Sequence, residues 1–93
     1  MRAARTDANH IEIVKALRAI GASVQSLAAV GVGCPDLLVG YRGANYLLEI
    51  KDGTKVPSAQ KLTPMQIDWH SSWNGRVAIV NSVDGAIAVV SRF

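Results

Sequence analysis

Three charged residues stand out because they interrupt segments that are otherwise apolar. Asp36 directly follows Pro35 and opens an apolar segment, whereas Glu49 and Lys51 lie inside the next one. Side chains two positions apart on a β-strand share a face, so Glu49 and Lys51 should point the same way and Ile50 the other way. Burying carboxylates and an ammonium group costs free energy unless a metal ion or an ion pair compensates. These residues are therefore the first candidates for a site that carries chemistry.

Two neighbouring carboxylates favour a divalent cation, because its positive charge relieves their mutual repulsion. Mg²⁺ prefers oxygen ligands in an octahedron, typically one or two carboxylates together with waters and substrate phosphate. A bound metal ion can polarise a phosphate, lower the pKa of a water molecule and orient its attack. Beside it, Lys51 would hold the attacking water or neutralise charge on the pentavalent phosphate. This combination of groups suits the hydrolysis of phosphodiester bonds.

The elements around these residues must bring them to one place. The pair Arg42-Gly43 lies between two apolar segments and is typical of a tight β-hairpin. In such a hairpin Asp36 and Glu49 lie near the open ends, opposite the turn. The two carboxylates and the ammonium group of Lys51 are then expected to converge at one end of the sheet.

Two helices are predicted from their end signals. The first should end at Gly21, and the second should begin with Thr63 as its N-cap, Pro64 in the first position and Gln66 in the third. The N-cap candidates of the first helix are Thr6, Asp7 and Asn9. The remaining segments predict strands at 22–27, 36–41, 44–51, 76–80 and 86–91. The order α-β-β-β-α-β-β indicates the α/β class, with a mixed α+β sheet and helices packed against it.

Size and composition narrow the class of protein. With 93 residues, 49% hydrophobic and 18% charged, residues 1–93 should form one folded domain. The longest apolar stretch, 27–34, is too short to cross a bilayer, and residues 1–9 lack the apolar region of a secretory signal. A single cysteine, Cys34, excludes an internal disulfide and a multi-cysteine zinc site. We therefore expect a cytoplasmic protein that does not associate with membranes.

The motifs resemble a known family. Pro35-Asp36, then twelve residues, then Glu49-Ile50-Lys51, is similar to the Pro-Asp…Glu-x-Lys signature of the PD-(D/E)XK nuclease superfamily. More narrowly, the chain resembles small stand-alone VRR-NUC domains of viral or bacterial type. In that family a Gly-x-Pro-Asp strand leads into the Glu-x-Lys strand, and a helix carrying a Gln follows, as the segment 62–70 does here. The resemblance extends from Glu12 to Val90 and implies a restriction-endonuclease-like core.

The resemblance implies roles for further residues. It implies a DNA endonuclease that uses Mg²⁺ or Mn²⁺, in the cytoplasm of a bacterial or virus-infected host cell. The metal ligands would be Asp36, Glu49, the backbone carbonyl of Ile50, and Glu12 from the first helix. Lys51 would position the hydroxide, and Gln66 would orient the water or the scissile phosphate. The resemblance also implies a homodimer that cleaves branched DNA, such as four-way (Holliday) junctions or flaps, since a symmetric dimer presents two active sites.

The charge balance is compatible with a polyanionic partner. Ten Lys and Arg against seven Asp and Glu give a net charge of +3 and a pI near 9.4. If bound metal neutralises the three acids of the proposed site, the remaining surface is markedly more basic and better suited to DNA. The candidate DNA contacts are Lys55 and Lys61, which bracket a loop, and His70, one turn after Gln66.

Each of these residues also has a plain structural interpretation. Glu49 and Lys51 would pair on an exposed strand face, Glu12 would pair with Lys15, and Gln66 would form a capping box with Thr63. His70 would be an ordinary structural or surface histidine. The aromatic residues of the second helix are expected to form a core stripe; they are Trp69 and Trp73, together with Met65. The rival function is a non-catalytic nucleic-acid-binding or scaffold protein on the same fold.

Overall fold

The computed structural model describes residues 8–92, and within this range three α-helices accompany one four-stranded sheet. In chain order the elements are α1 (Ala8–Ala19), β1 (Ser23–Ser26), β2 (Leu37–Tyr41), β3 (Ala44–Ile50), a 3₁₀ helix (Pro57–Gln60), α2 (Pro64–Ser72), β4 (Val77–Val80) and α3 (Val83–Val90). The sheet order is β1-β2-β3-β4, antiparallel except for the parallel pair β3–β4. The mixed α+β class predicted from the sequence is confirmed. None of the described helices is long and apolar enough to cross a membrane.

The hairpin between β2 and β3 forms at the predicted turn. Arg42 and Gly43 adopt φ angles of 51° and 81°, the left-handed conformations of a two-residue turn that matches the twist of the strands. Tyr41 then pairs with Ala44, and the ladder continues to Leu37 opposite Leu48. This register determines which side chains meet at the open end of the hairpin.

The main core lies on the face of the sheet that α1 covers, opposite the face from which Glu49 projects. Ile13 and Leu17, one turn apart on α1, are fully buried against Val39 and Leu48. Alternate positions of β3 must point to the opposite face, because the side-chain period of a strand is two. Glu49 therefore projects away from α1, towards the side on which α2 lies.

The prediction of a strand at 86–91 is wrong, because residues 86–90 lie in α3 and Ser91 is its C-cap. Ser82 caps the helix by accepting a hydrogen bond from the Gly85 N–H at 3.0 Å. Ala86 and Val90, four residues apart, are buried against the core. The observed order is thus α-β-β-β-α-β-α. The pair Asp84-Gly85 belongs to the first turn of this helix and does not form a hairpin turn.

The second helix begins as predicted, but its packing differs from the prediction. Thr63 and Gln66 form the reciprocal capping box, and Pro64 occupies the first turn. None of the residues of α2 is buried, and Met65 is 59% exposed. Trp73, which follows the helix, is 47% exposed and stacks on Trp69 with 4.7 Å between ring centroids. The expected core stripe is therefore wrong, because α2 lies over a polar surface.

One glycine permits the close approach of α2 to the loop before β2. Gly33 has a φ of +85°, and a Cβ atom there would overlap the backbone carbonyl of Met65. We expect Gly33→Ala to lower the free energy of unfolding by about 2–4 kcal/mol, from left-handed strain plus the overlap. Gly31 in the same loop has a φ of +70° but open space around it, so Gly31→Ala should cost only about 1 kcal/mol. Urea denaturation of both variants measures the difference, and equal losses would contradict this account of Gly33.

Candidate active site

Asp36 and Glu49 are brought together by the pairing of β2 with β3. The register places Leu37 opposite Leu48, and one step beyond it sets Asp36 opposite Glu49. Counted from the two-residue turn, this position is of the non-hydrogen-bonded type, in which opposite side chains are closest. Both carboxylates therefore project from the same face at directly neighbouring positions, where like charges repel.

The residue before Asp36 changes the hydrogen bonding at Ile50. One further step in register sets Ile50 opposite Pro35, which has no N–H to donate to the Ile50 carbonyl. The Ile50 N–H donates to Asp36 Oδ2 instead, at 2.7 Å. The pairing thus leaves the carbonyl oxygen of Ile50 without a donor from that position, on the side of the strand that Asp36 occupies.

Glu49 is the most buried charged group of the described chain. Its side chain is 3% exposed, and Oε2 accepts a hydrogen bond from Gln66 Nε2 at 3.1 Å. The other oxygen, Oε1, is buried and has no hydrogen-bond partner among the described residues. Burial raises the pKa of Glu49 to about 8, the charge of Asp36 and a hydrogen bond with it contribute, and Lys51 opposes the shift. A positive ion would relieve both the repulsion and the unsatisfied oxygen.

Gln66 connects Glu49 with Lys51. Lys51 Nζ donates to Gln66 Oε1 at 2.9 Å, and the Thr63 N–H donates to the same oxygen at 2.9 Å. Because Nε2 is bonded to Glu49, only one N–H of the amide is left for water or phosphate. The capping box and a bridge between two site residues therefore coexist in one side chain.

His70 lies one turn after Gln66 and faces the same carboxylate. Its Nε2 is 3.8 Å from Glu49 Oε1, and its side chain is 12% exposed. Burial, and then the charge of Lys51, lower the pKa of this imidazole. Cys34 precedes Pro35 and Asp36, and burial and then the charges of Glu49 and Asp36 raise the pKa of its thiol.

A contact that sequence reasoning missed anchors the first helix to the site. Asn9 Nδ2 donates to the carbonyl oxygen of Lys51 at 2.8 Å, across 42 residues of sequence. Asn9 is one of the three N-cap candidates, and it lies inside α1; the other two, Thr6 and Asp7, lie outside the described residues. The local sequence carries no signal for a contact at this separation.

For three predicted residues the structure describes no hydrogen bond or ion pair to this cluster. Glu12 is exposed and lines a depression of about 500 Å³ together with Asp52 and Asp84. Lys55 and Lys61 are exposed on the segment between β3 and α2. The structure thus brings together Asp36, Glu49, Ile50, Lys51, Gln66 and His70, and it describes no contact of Glu12, Lys55 or Lys61 with them.

The donor set fits an oxygen-liganded divalent cation. Over residues 8–92, no group of three or more His, Cys, Asp or Glu side chains is arranged to hold a metal ion as it stands. Asp36, Glu49 and the Ile50 carbonyl offer two carboxylates and one backbone oxygen, with the remaining positions open to water and phosphate. Mg²⁺ sites commonly have this composition. The unpartnered Glu49 Oε1 is the atom that most needs such an ion.

Comparison with known proteins yields one informative match. No family model and no curated protein matches the chain. A solved structure described as a VRR_NUC domain matches with a TM-score of 0.62 and 26% sequence identity, covering 88% of this chain and 94% of that one. The match therefore extends over most of both chains. This match supports the resemblance to the VRR-NUC family and a nuclease-type domain with a restriction-endonuclease-like fold.

Proposed function

We propose that the protein is a metal-dependent endonuclease that hydrolyses phosphodiester bonds of branched DNA, such as four-way junctions or flaps. The observation that carries the proposal is the opposition of Asp36 and Glu49, with Lys51 linked to Glu49 through Gln66. A surface binding module gains nothing from two carboxylates directed at a phosphate. Burial of Glu49 at 3% exposure also argues against an ordinary exposed ion pair.

The roles follow from the positions of the groups. Asp36, Glu49 and the Ile50 carbonyl would hold Mg²⁺ or Mn²⁺, which when bound polarises the phosphate and acidifies water. Lys51 brings an ammonium group to the same face, where it orients the nucleophile and balances charge that develops on the phosphate. Gln66 keeps Lys51 and Glu49 at a set separation. Glu12 lines the same depression as Asn9, whose side chain binds the Lys51 carbonyl, and would act on the site through water or substrate.

DNA is the proposed substrate, and a second copy of the chain is the proposed partner. The net charge of +3 and the exposed Lys55 and Lys61 favour a polyanion. Apolar residues exposed along α2, Met65 and Ile67, offer a surface on which two copies would pack. A symmetric dimer would present two sites to the two strands of a junction. We propose a cytoplasmic location for this activity.

A panel of labelled DNA structures tests the proposal. The protein is incubated with four-way junction, flap and linear duplex in the presence of Mg²⁺, Mn²⁺ or EDTA. We expect metal-dependent cleavage, strongest on branched DNA, that is lost in Asp36→Asn and retained in Asp68→Asn, a matched change on the exposed surface of α2. Tight junction binding without cleavage under either metal would support the non-catalytic alternative. Equal cleavage by Asp36→Asn would overturn the site assignment.

Gln66 allows its structural role to be separated from its role in the site. We expect Gln66→Ala to reduce cleavage about 10- to 100-fold, because Lys51 and Glu49 lose the group that positions them. Thr63→Ala removes the hydroxyl that caps α2 but retains the Thr63 N–H, so it should cost about 1 kcal/mol of stability and leave cleavage nearly unchanged. Cleavage rates and thermal melting of the two variants measure the separation. Equal loss of activity in both would mean that Gln66 acts only through the helix cap.

A further inference from the structure

Two polar atoms face each other across a gap that neither can bridge. Glu49 Oε1 and His70 Nε2 are 3.8 Å apart, which is too long for a hydrogen bond. Both atoms are buried, and neither has a hydrogen-bond partner among the described residues. Buried polar atoms are satisfied in nearly all cases, so an unsatisfied pair indicates a missing partner for both.

The 3.8 Å separation of Glu49 Oε1 and His70 Nε2 decides whether water or a metal ion could lie between them. Neither atom is accessible to solvent, so there is no room for a water molecule at hydrogen-bond distance from both. Metal ions bind nitrogen and oxygen ligands at about 2.0–2.2 Å, considerably closer than water does. An ion about 2.1 Å from both atoms would subtend an angle of about 130° at their present separation. Closing the gap by less than about 1 Å would bring this angle towards that of adjacent octahedral ligands.

We propose that His70 Nε2 is a nitrogen ligand of the cation bound by Asp36 and Glu49, and that it makes the site select a first-row transition ion over Mg²⁺. This inference rests on the cation site of the proposed function and deepens it. Imidazole is a good ligand for first-row transition ions, whereas Mg²⁺ prefers oxygen and near-ideal octahedral geometry. Two carboxylates and a carbonyl alone suit Mg²⁺. Adding one imidazole nitrogen shifts the metal preference of the site towards a transition ion.

The small closure that ligation requires falls to the side chains of His70 and Glu49. None of the residues of α2 is buried, and its contacts to β3 run through Gln66 and His70. The first turn of α2 is already in close contact with Gly33, so rotation of the two side chains, and not a shift of the whole helix, would bring Nε2 and Oε1 together. Trp69 supports the imidazole from the side, with ring centroids 6.0 Å apart and planes inclined at 72°. His70 thus has a defined orientation close to Glu49.

Manganese binding to the metal-free full chain tests the proposal without DNA and without activity. Mn²⁺ is titrated at neutral pH while electron paramagnetic resonance follows the free ion, and pulsed measurements detect coupling to imidazole ¹⁴N. Because the chain has two histidines, His10→Gln leaves His70 as the sole imidazole and is the matched control. We expect imidazole coupling in the wild type and in His10→Gln. In His70→Gln the coupling should vanish and Mn²⁺ affinity should fall at least about tenfold, with Mg²⁺ affinity little changed.

The outcomes separate this inference from the proposed function. Mn²⁺ bound with oxygen ligands only, or bound equally well by His70→Gln, overturns the role of His70 and leaves the carboxylate site in place. If the wild type retains neither Mn²⁺ nor Mg²⁺, the cation site itself is overturned and both proposals fail. Should His70→Gln not fold, the spectra of the wild type and His10→Gln still decide, since only His70 supplies imidazole in the latter.

Discussion

Replacing Lys51 by alanine is expected to lower the rate of DNA cleavage about 100- to 1000-fold while the domain stays folded. The Lys51 ammonium group is half-buried and is held 2.9 Å from Gln66 Oε1, so its position is set before substrate arrives. A charge positioned in this way stabilises the negative charge of the transition state without reorganisation, and its loss affects the chemical step. Single-turnover cleavage of a labelled junction with saturating metal measures the effect.

Lys15 provides the control, because it is an exposed lysine on α1. Lys15→Ala should cleave at the wild-type rate, and both variants should bind the junction with similar affinity. If Lys51→Ala instead weakened binding and left the single-turnover rate unchanged, Lys51 would be a DNA contact and not part of the chemistry. Thermal melting of both variants shows whether the fold is intact.

The parts of the fold that were predictable are those governed by local chemistry. Arg42-Gly43 needs two left-handed residues, and Thr63 with Gln66 forms a reciprocal cap, so both elements appear where the sequence places them. The segment 86–90 is apolar throughout and has no polar residue that reveals a period. Its helical conformation depends on burying Ala86 and Val90 against α1 and the sheet, which only the assembled core determines.

Some of the site could likewise be predicted from local sequence, whereas the rest depends on how distant elements pack. Strand periodicity and a hairpin suffice to bring Asp36 opposite Glu49, and both can be derived from spacing alone. The position of Glu12 depends on how Ile13 and Leu17 rotate α1 about its axis when they pack. The approach of His70 to Glu49 depends on how α2 lies over the sheet, which helical periodicity does not specify.

Glu49→Gln is expected to abolish cleavage and, at alkaline pH, to make the metal-free protein more stable than the wild type. The fold raises the pKa of Glu49 from 4.5 to about 8, chiefly through burial and then through Asp36, so the folded state favours the protonated carboxyl. The associated stability is fully present below about pH 4.5 and is lost as the pH rises through about 8. The loss amounts to a few kcal/mol. The neutral amide of Glu49→Gln does not ionise, so this variant does not lose that stability as the pH rises.

Thermal melting in EDTA at pH 5.5, 7.0 and 8.5 measures the difference between the two proteins. The wild type should lose melting temperature relative to Glu49→Gln as the pH rises, and Mn²⁺ should restore stability to the wild type alone. Asp68→Asn, which changes an exposed carboxylate, should follow the wild type at every pH and retain cleavage. Parallel curves for the wild type and Glu49→Gln would mean that Glu49 titrates as an ordinary carboxyl. If Glu49→Gln is more stable than the metal-free wild type, the Glu49 carboxylate destabilises the fold. Its presence is then explained by binding of the cation.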